Sequence, residues 1–346
     1  MRWKTTLILL LATIGIGAYL SLYEIRQPAP EARERRAKQV IRVEPDAATQ
    51  FVLDMPKVKA TLTRHGAEWT ITPSGFRANP DTVNALLGDL SPLTAERVLK
   101  GSATHPLDLK SFGLDPAIGW LSVAANEKPS TLLIGAETPV AQHRYAKMAN
   151  RPDVFVIPSQ VFDDANQPLE QWRDPRCFDF VAPTVAKVEL ERDKIRWTIE
   201  RTKATSSGEP AGWREIESQA MLETSNVESF LNTVAGLRLS GFVEDAPTEL
   251  TRYGLAQPAG TITVWIEGRE APQRLSVGGS TGQTPGRYGR MEGRVDIIRL
   301  PETVMDLLAT PLERLRQPPS DHVGTDSSKS NATVWTSSED SNGLVR

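Results

Sequence analysis

The chain has a single cysteine, Cys177, in 346 residues. No internal disulfide can form, and a lone free thiol of this kind is most often a small packed residue; by itself it does not fix the compartment. Histidine is equally scarce. His65, His105, His143 and His322 are scattered, with no spacing that would gather ligands round a metal. His143, next to Arg144 in an expected surface loop, is the one with room for a functional role. An excess of one charge is also missing: 40 Lys and Arg stand against 43 Asp and Glu, a net charge of -3 with the signs well mixed. That excludes the basic domain or stripe that nucleic-acid binding requires. Neighbouring carboxylates such as Asp163-Asp164 or Glu189 and Glu191 are the ordinary furniture of solvated faces, and with no cleft defined they support no acid–base role.

One stretch matches a catalytic pattern by letter. Gly278-Gly279-Ser280-Thr281-Gly282 reads G-x-S-x-G, but a nucleophile elbow sits between a strand and a helix. Here Gln283-Thr284-Pro285-Gly286 and a further strand follow, so a hairpin turn is expected. The same glycines lack the Lys-Ser/Thr of a phosphate loop. The sequence therefore assigns no catalytic, cofactor-binding or metal-binding residue, and no cofactor.

What the sequence does have is a repeat. Residues 134–173 fall on residues 277–316 at a constant shift of 143, with fourteen of forty positions identical, where composition alone would give about two or three. Arg144-Tyr145-Ala146-Lys147-Met148 lands on Arg287-Tyr288-Gly289-Arg290-Met291, and Pro168-Leu169-Glu170 on Pro311-Leu312-Glu313. Upstream, Phe112-Gly113-Leu114 matches Tyr253-Gly254-Leu255 at 141. Trp69 matches Trp213 at 144, as do Val83, Leu86, Leu87 and Leu90 with Val227, Phe230, Leu231 and Val234. The shift drifts only where loops are expected, which tolerate insertion best. Each copy has about 130 residues, enough for its own core, and too many for a solenoid repeat.

Each copy reads as α+β. In the first, residues 50–54, 58–64 and 68–71 alternate or run apolar and form an antiparallel meander. Asn79 caps a helix with Pro80 in its first turn, and Val83, Leu86, Leu87 and Leu90 make one apolar stripe. A helical turn at 107–112 closes on Gly113. Four strands follow, at 120–124, 130–134, 144–148 and 154–157, and Pro158 opens a last helix through Val161 and Phe162. The second copy repeats this with strands at 186–192, 195–201 and 213–216, a helix capped by Thr224 or Ser225, strands at 261–267, 273–277, 288–291 and 296–300, and a closing helix at Val304, Leu307 and Leu308. The expected fold is two homologous α+β lobes, each a meander, a helix and further short antiparallel strands.

From Thr5 to Tyr23 no residue is charged. Nineteen helical residues span about 28 Å, close to the ~30 Å hydrocarbon core. A cleaved signal peptide would have a shorter apolar run and a small-residue cleavage site; Gly15-Ile16-Gly17 lies inside the run, so an uncleaved anchor is the better expectation. Arg26, Arg33, Arg35, Arg36 and Lys38 after the span pull toward the cytoplasm. The short basic N-terminus and large downstream body favour the opposite: N-terminus inside, body outside. The expected divisions are an anchor at 1–26, a polar linker at 27–44, lobes at 45–180 and 181–316, and a disordered tail at 317–346. The linker arginines could touch anionic headgroups.

Arg144 and Arg287, with Tyr145 and Tyr288, recur in both copies. Packed rings, with each arginine paired to a carboxylate such as Glu170 or Glu313, would explain them structurally. A shared partner face is the functional alternative, because Tyr and Arg are favoured at interfaces.

Together these marks resemble the domain of unknown function 4340 family. They are Trp69; the helix before Leu93-Thr94-Ala95-Glu96-Arg97-Val98; Phe112-Gly113-Leu114-Asp115-Pro116; Leu133-Ile134-Gly135; Arg144-Tyr145-Ala146; Trp172-Arg173-Asp174; Phe178-Asp179-Phe180; and Tyr23-Glu24 closing the apolar run. Ala256-Gln257 departs from the family's acidic residue before proline, and the tail has no counterpart. The resemblance implies bacterial, membrane-anchored, mostly extracytoplasmic proteins, some encoded near ABC-transporter components of the gliding-motility type. It carries over no catalytic residue. The expected function is a non-enzymatic envelope protein that binds a membrane-protein partner, with a module for cell-wall or surface polymer as the alternative and a hydrolase as the remote one.

Overall fold

The first lobe begins ahead of the point where the sequence match starts. The computed structural model describes residues 3, 13, 30–101, 106–125, 128–140, 142–203, 211–282 and 284–316. Pro30–Lys38 is a helix, α1, and Gln39–Ile41 a short strand, β1. The last turns of α1 are exposed, whereas Val40, Ile41 and Val43 are buried in the first core. Part of the segment expected as polar linker is thus folded: its charges stay in water and its three apolar residues pack. Among the described residues no helix is long and apolar enough to cross a membrane. The run at 5–23, apart from Thr13, lies outside them, as does the tail from 317.

The first lobe continues through β2 (Ala48–Met55), β3 (Val58–His65), β4 (Glu68–Thr72), β5 (Phe76–Arg77), α2 (Pro80–Leu90), β6 (Leu93–Thr94), β7 (Arg97–Leu99), β8 (Gly119–Ala125), β9 (Lys128–Glu137), β10 (His143–Met148), β11 (Val154–Pro158), α3 (Gln160–Ala165) and α4 (Leu169–Trp172). Alternation drives the strands: Phe51, Leu53 and Met55 of β2 and Val58, Ala60 and Leu62 of β3 are buried, the period-two face of a half-covered sheet. The Asn79 side chain accepts from the Asp81 N–H at 3.1 Å and Pro80 fills the first turn of α2. Its stripe of Val83, Leu86, Leu87 and Leu90 is buried, each side chain contributing about 1.5–3 kcal/mol relative to exposure.

The second lobe runs β12 (Val185–Arg192), β13 (Ile195–Thr202), β14 (Gly212–Glu215), β15 (Met221–Leu222), α5 (Thr224–Ala235), β16 (Gly241–Glu244), β17 (Gly260–Ile266), β18 (Gln273–Ser280), β19 (Arg287–Met291), β20 (Ile297–Leu300), α6 (Val304–Leu308) and α7 (Leu312–Arg316). Helix α5 starts differently from its expected cap. Thr224 is already helical, Glu223 holds the cap position, and Ser225 donates to the Glu223 carboxylate at 3.1 Å rather than closing a capping box. Pro158, expected to open a helix, ends β11 instead.

The protein is α+β with two sheets of the same design. One nine-stranded sheet has the order β5-β4-β3-β2-β8-β9-β10-β11-β7, the other β15-β14-β13-β12-β17-β18-β19-β20-β16. Every neighbouring pair is antiparallel. Position for position the two orders coincide. The sequence supplied four strands after each helix; the sheets hold five, because β7 and β16 lie at the far edge beside β11 and β20. Arg97–Leu99 and Gly241–Glu244 are too short to show alternation, and only the finished sheet edge makes them strands.

Besides a small buried cluster that joins Tyr253, Leu255 and Ile297 in the second lobe, two large ones fill the lobes, one from Val40 to Trp172 and one from Cys177 to Leu315. The chain passes from one to the other within Arg173–Arg176.

Candidate functional site

The Trp172-to-Cys177 passage touches both lobes with its backbone. The Trp172 carbonyl accepts from the Asn79 N–H at 2.7 Å and the Asp174 N–H donates to the Arg77 carbonyl at 2.9 Å, continuing the β5 edge. A few residues on, the Leu239 N–H donates to the Pro175 carbonyl at 2.9 Å and the Cys177 N–H to the Leu237 carbonyl at 3.2 Å. Trp172 and Phe178 anchor the passage, both buried, one in each core.

Between these anchors lies the densest charge network among the described residues. Arg173 is 5% exposed. Its guanidinium carbon sits 3.7 Å from the ring centres of both Phe76 of the first lobe and Phe242 of the second. It donates to Asp245 at 2.6 Å and to Asp296 at 3.0 Å. Arg294 donates to the same Asp296 at 2.8 and 3.0 Å. Alongside, the buried Asp174 accepts from Arg176 at 2.8 Å and pairs with Arg77 at 3.3 Å, and Asp179 faces Arg77, Arg176 and Arg269 at 3.3–3.5 Å.

Burial alone would push the Asp296 carboxyl up. The hydrogen bond and charge of Arg294, with the charge of Arg173, hold it below its ordinary value. Burial also opposes the ionisation of Asp179, and Arg77, Arg176 and Arg269 together outweigh it. The hydrogen bond to Asp174 raises Arg176. Buried ions of this kind hold because each has a partner and a hydrogen bond. Beside the network opens a cleft of about 500 Å³ between the lobes, with Asn79, Thr82, Gln171, Ser240, Phe242 and Arg299 on its walls. Within the network guanidinium and carboxylate groups offset each other, so its chemistry is mutual positioning, while Arg299 on the cleft wall donates to the Ser240 carbonyl at 3.1 Å.

The residues singled out from the sequence fall elsewhere. Arg144 donates to Glu137 at 2.6 Å and to the Gly135 carbonyl at 3.2 Å, with its guanidinium 3.9 Å from the Phe162 ring centre. Arg287 donates to Glu302 at 3.1 Å. The paired carboxylates are therefore Glu137 and Glu302, not Glu170 and Glu313. Tyr145 packs on Phe112 at 4.7 Å and Tyr288 on Tyr253 at 4.9 Å. Arginine and tyrosine are consecutive in each strand, so they turn to opposite faces of the sheet. The two pairs lie in separate sheets, and all four residues are half-buried.

Gly278 and Gly279 belong to β18, which ends at Ser280; the Thr281 N–H then donates to the Gly286 carbonyl at 3.0 Å as the chain turns into β19. The strand-to-helix corner of a nucleophile elbow is not formed there. Gly278 has another reason: a Cβ on it would lie 2.2 Å from the Tyr253 carbonyl, as one on Gly135 would lie 2.3 Å from the Phe112 carbonyl. Cys177 is buried, and burial pushes its thiol up to about 12. His65 ends β3 and is exposed; His143 opens β10. His105 and His322 lie outside the described residues. Among the described residues no cluster of three or more His, Cys, Asp or Glu is placed to hold a metal ion.

Sequence reading noticed Trp172-Arg173-Asp174 as a mark of resemblance but missed the junction it builds. The acidic partners of Arg173 are 72 and 123 residues away, and no local pattern connects them.

A family model described as a domain of unknown function (DUF4340) matches residues 69–243 and again residues 213–318. No curated protein and no solved structure matches the chain.

Proposed function

The chain belongs to the domain of unknown function 4340 family, and from that premise we propose that it is a non-enzymatic, membrane-anchored binding protein of the bacterial cell envelope, an accessory of an ABC-transporter-associated complex. The anchor is the uncharged run at 5–23, with the N-terminus cytoplasmic and the two-lobed body extracytoplasmic. The lobes arose by duplication of one α+β unit.

The observation that carries this reading is the junction at Arg173. Strong ionic groups that a hydrolase would present to substrate here pair with one another, with Arg173, Asp174 and Asp296 buried, and tie one lobe to the next. Two sheets of the same strand order, tied at the junction, suit recognition, because a pre-organised surface loses little freedom on binding. Val243 and Val295 are exposed close to Asp245 and Asp296 and offer apolar contact beside the fixed junction. Arg144 with Arg287, or Tyr145 with Tyr288, are the further contact points of the reading, since arginine and tyrosine lie on opposite sides of each sheet.

The test is crosslinking in native membranes followed by mass spectrometry. The expected result is a protein that sediments with membranes and crosslinks through the body to transporter subunits. Recovery in the soluble fraction after membranes are pelleted overturns the anchor, and crosslinks confined to cell-wall material overturn the protein partner.

A further inference from the structure

The two lobes differ where their helices meet, and in the second lobe a groove lies at that place. In the first lobe α2 packs against α3, and Asp89 of α2 is hydrogen-bonded to Asp164 of α3. The repeat offsets of 144 and 143 place Thr233 and Leu307 at these positions in the second lobe. There α5 and α6 have hardly any contact. Between α5 and the α6–α7 turn lies a groove of about 470 Å³ that both Thr233 and Leu307 line, a volume within the usual range for a small-ligand site.

Its lining has a definite chemistry. Phe230, Leu307 and Leu315 form the floor, and Phe230 is held by an edge-on contact with Trp197 at 5.5 Å. The walls carry hydroxyls: Ser229 and Thr233 from α5, with Thr303 and Thr310 opposite. The Thr233 hydroxyl donates to the Ser229 carbonyl at 2.9 Å and that of Thr310 to the Asp306 carbonyl at 3.4 Å, which orients both oxygens as acceptors. Asp306 and Arg314, both exposed, supply one charge of each sign, so the groove has no net attraction for an anion or a cation. An aromatic and aliphatic floor between hydroxyl walls, electrically balanced, fits a ligand with apolar ring faces and many hydroxyls.

We propose that the groove between α5 and the α6–α7 turn binds a neutral sugar chain. This site is independent of the transporter reading, since it needs neither the anchor nor the junction.

The full chain, kept in a detergent without a sugar headgroup, is applied to an array of neutral oligosaccharides built from glucose, galactose and N-acetylhexosamines, and calorimetry measures the hits. Retention of at least one oligosaccharide is expected, weakened tenfold or more by Ser229→Trp, which fills the mouth from an exposed position. The double change Thr233→Asp with Leu307→Asp, which restores the pair found in the first lobe, should do the same. Should the double variant fail to fold, Ser229→Trp decides alone, with an unchanged circular dichroism spectrum as its control. Retention of no member of the array, retention that Ser229→Trp leaves intact, or a peptide of another protein crosslinked across the groove overturns the proposal.

Discussion

Gly135 and Gly278 show how a single missing side chain can serve the fold while looking like a motif. Each lets a neighbouring turn, ending at Gly113 in one lobe and Gly254 in the other, press its carbonyl against a strand. Gly113 and Gly254 themselves have φ of +63° and +67°, a region in which a side chain is strained. The aromatic residue before each of them packs on the recurring tyrosine, so Phe112 with Tyr145 and Tyr253 with Tyr288 are one device used twice. Gly135→Ala or Gly278→Ala should lower stability by about 1–3 kcal/mol, the usual cost of overpacking. Ser280→Ala, at the strand end in the same letter pattern, should stay within about 0.5 kcal/mol. Urea unfolding midpoints of the three variants check this; equal effects at Gly278 and Ser280 would reverse the assignment. The repeat identified these glycines as a pair, but their reason is an approach between segments far apart in the chain.

At the scale of elements, the α2–α3 contact is the one that should respond to pH. Burial comes first, and the hydrogen bond and charge of Asp164 add to it, in raising the Asp89 carboxyl to about 7; one of its oxygens is buried with no hydrogen-bond partner. The folded form therefore holds a proton that the unfolded chain releases near pH 4. Stability from this pair is complete below about pH 4 and is lost as pH rises through about 7, because in that window the folded state binds the extra proton. Asp89→Asn keeps a donor toward Asp164 without titrating. It should flatten the fall in denaturation midpoint between pH 5 and pH 8 and raise the midpoint at pH 8; an unchanged slope would show that other groups set it. Helix α2 itself was legible, through Asn79, Pro80 and a stripe at helical spacing. The Asp89–Asp164 pair was not, because a carboxylate next to Gly88 in sequence gives no sign that a second one will be folded onto it. The short strands β5, β7, β15 and β16 escaped for a related reason: two to four residues carry too little pattern, and their pairing depends on edges that exist only after the longer strands have assembled.

At the scale of the whole molecule, the junction should decide whether the lobes unfold together. Removing one member of a buried ion pair leaves its partner uncompensated, commonly at ~3–5 kcal/mol. For Arg173→Ala the lower end is expected, near 3 kcal/mol, since Arg294 still faces Asp296. In calorimetry this variant should split one cooperative transition into two, one per lobe, as should Phe242→Ala, which removes one of the two rings enclosing the guanidinium. A single transition in both variants would place the coupling elsewhere. The depressed Asp296 and Asp179 carboxyls add a direction: their contribution is present at neutral pH and lost as pH falls through their lowered values.

The sequence by itself determined that one α+β unit of about 130 residues is written twice, with the order of its long strands and the buried face of its main helix. Those features follow from periods of two and 3.6 residues, which are local. It also fixed the family, through motifs that keep their spacing. The tertiary structure alone decided that the chain from Trp172 to Cys177 is a buried charged clasp and that α5 and α6 stand apart where α2 and α3 close. Both depend on side chains brought together from as far as 123 residues apart, and contact at that range is a property of the folded packing, which no stretch of sequence carries alone.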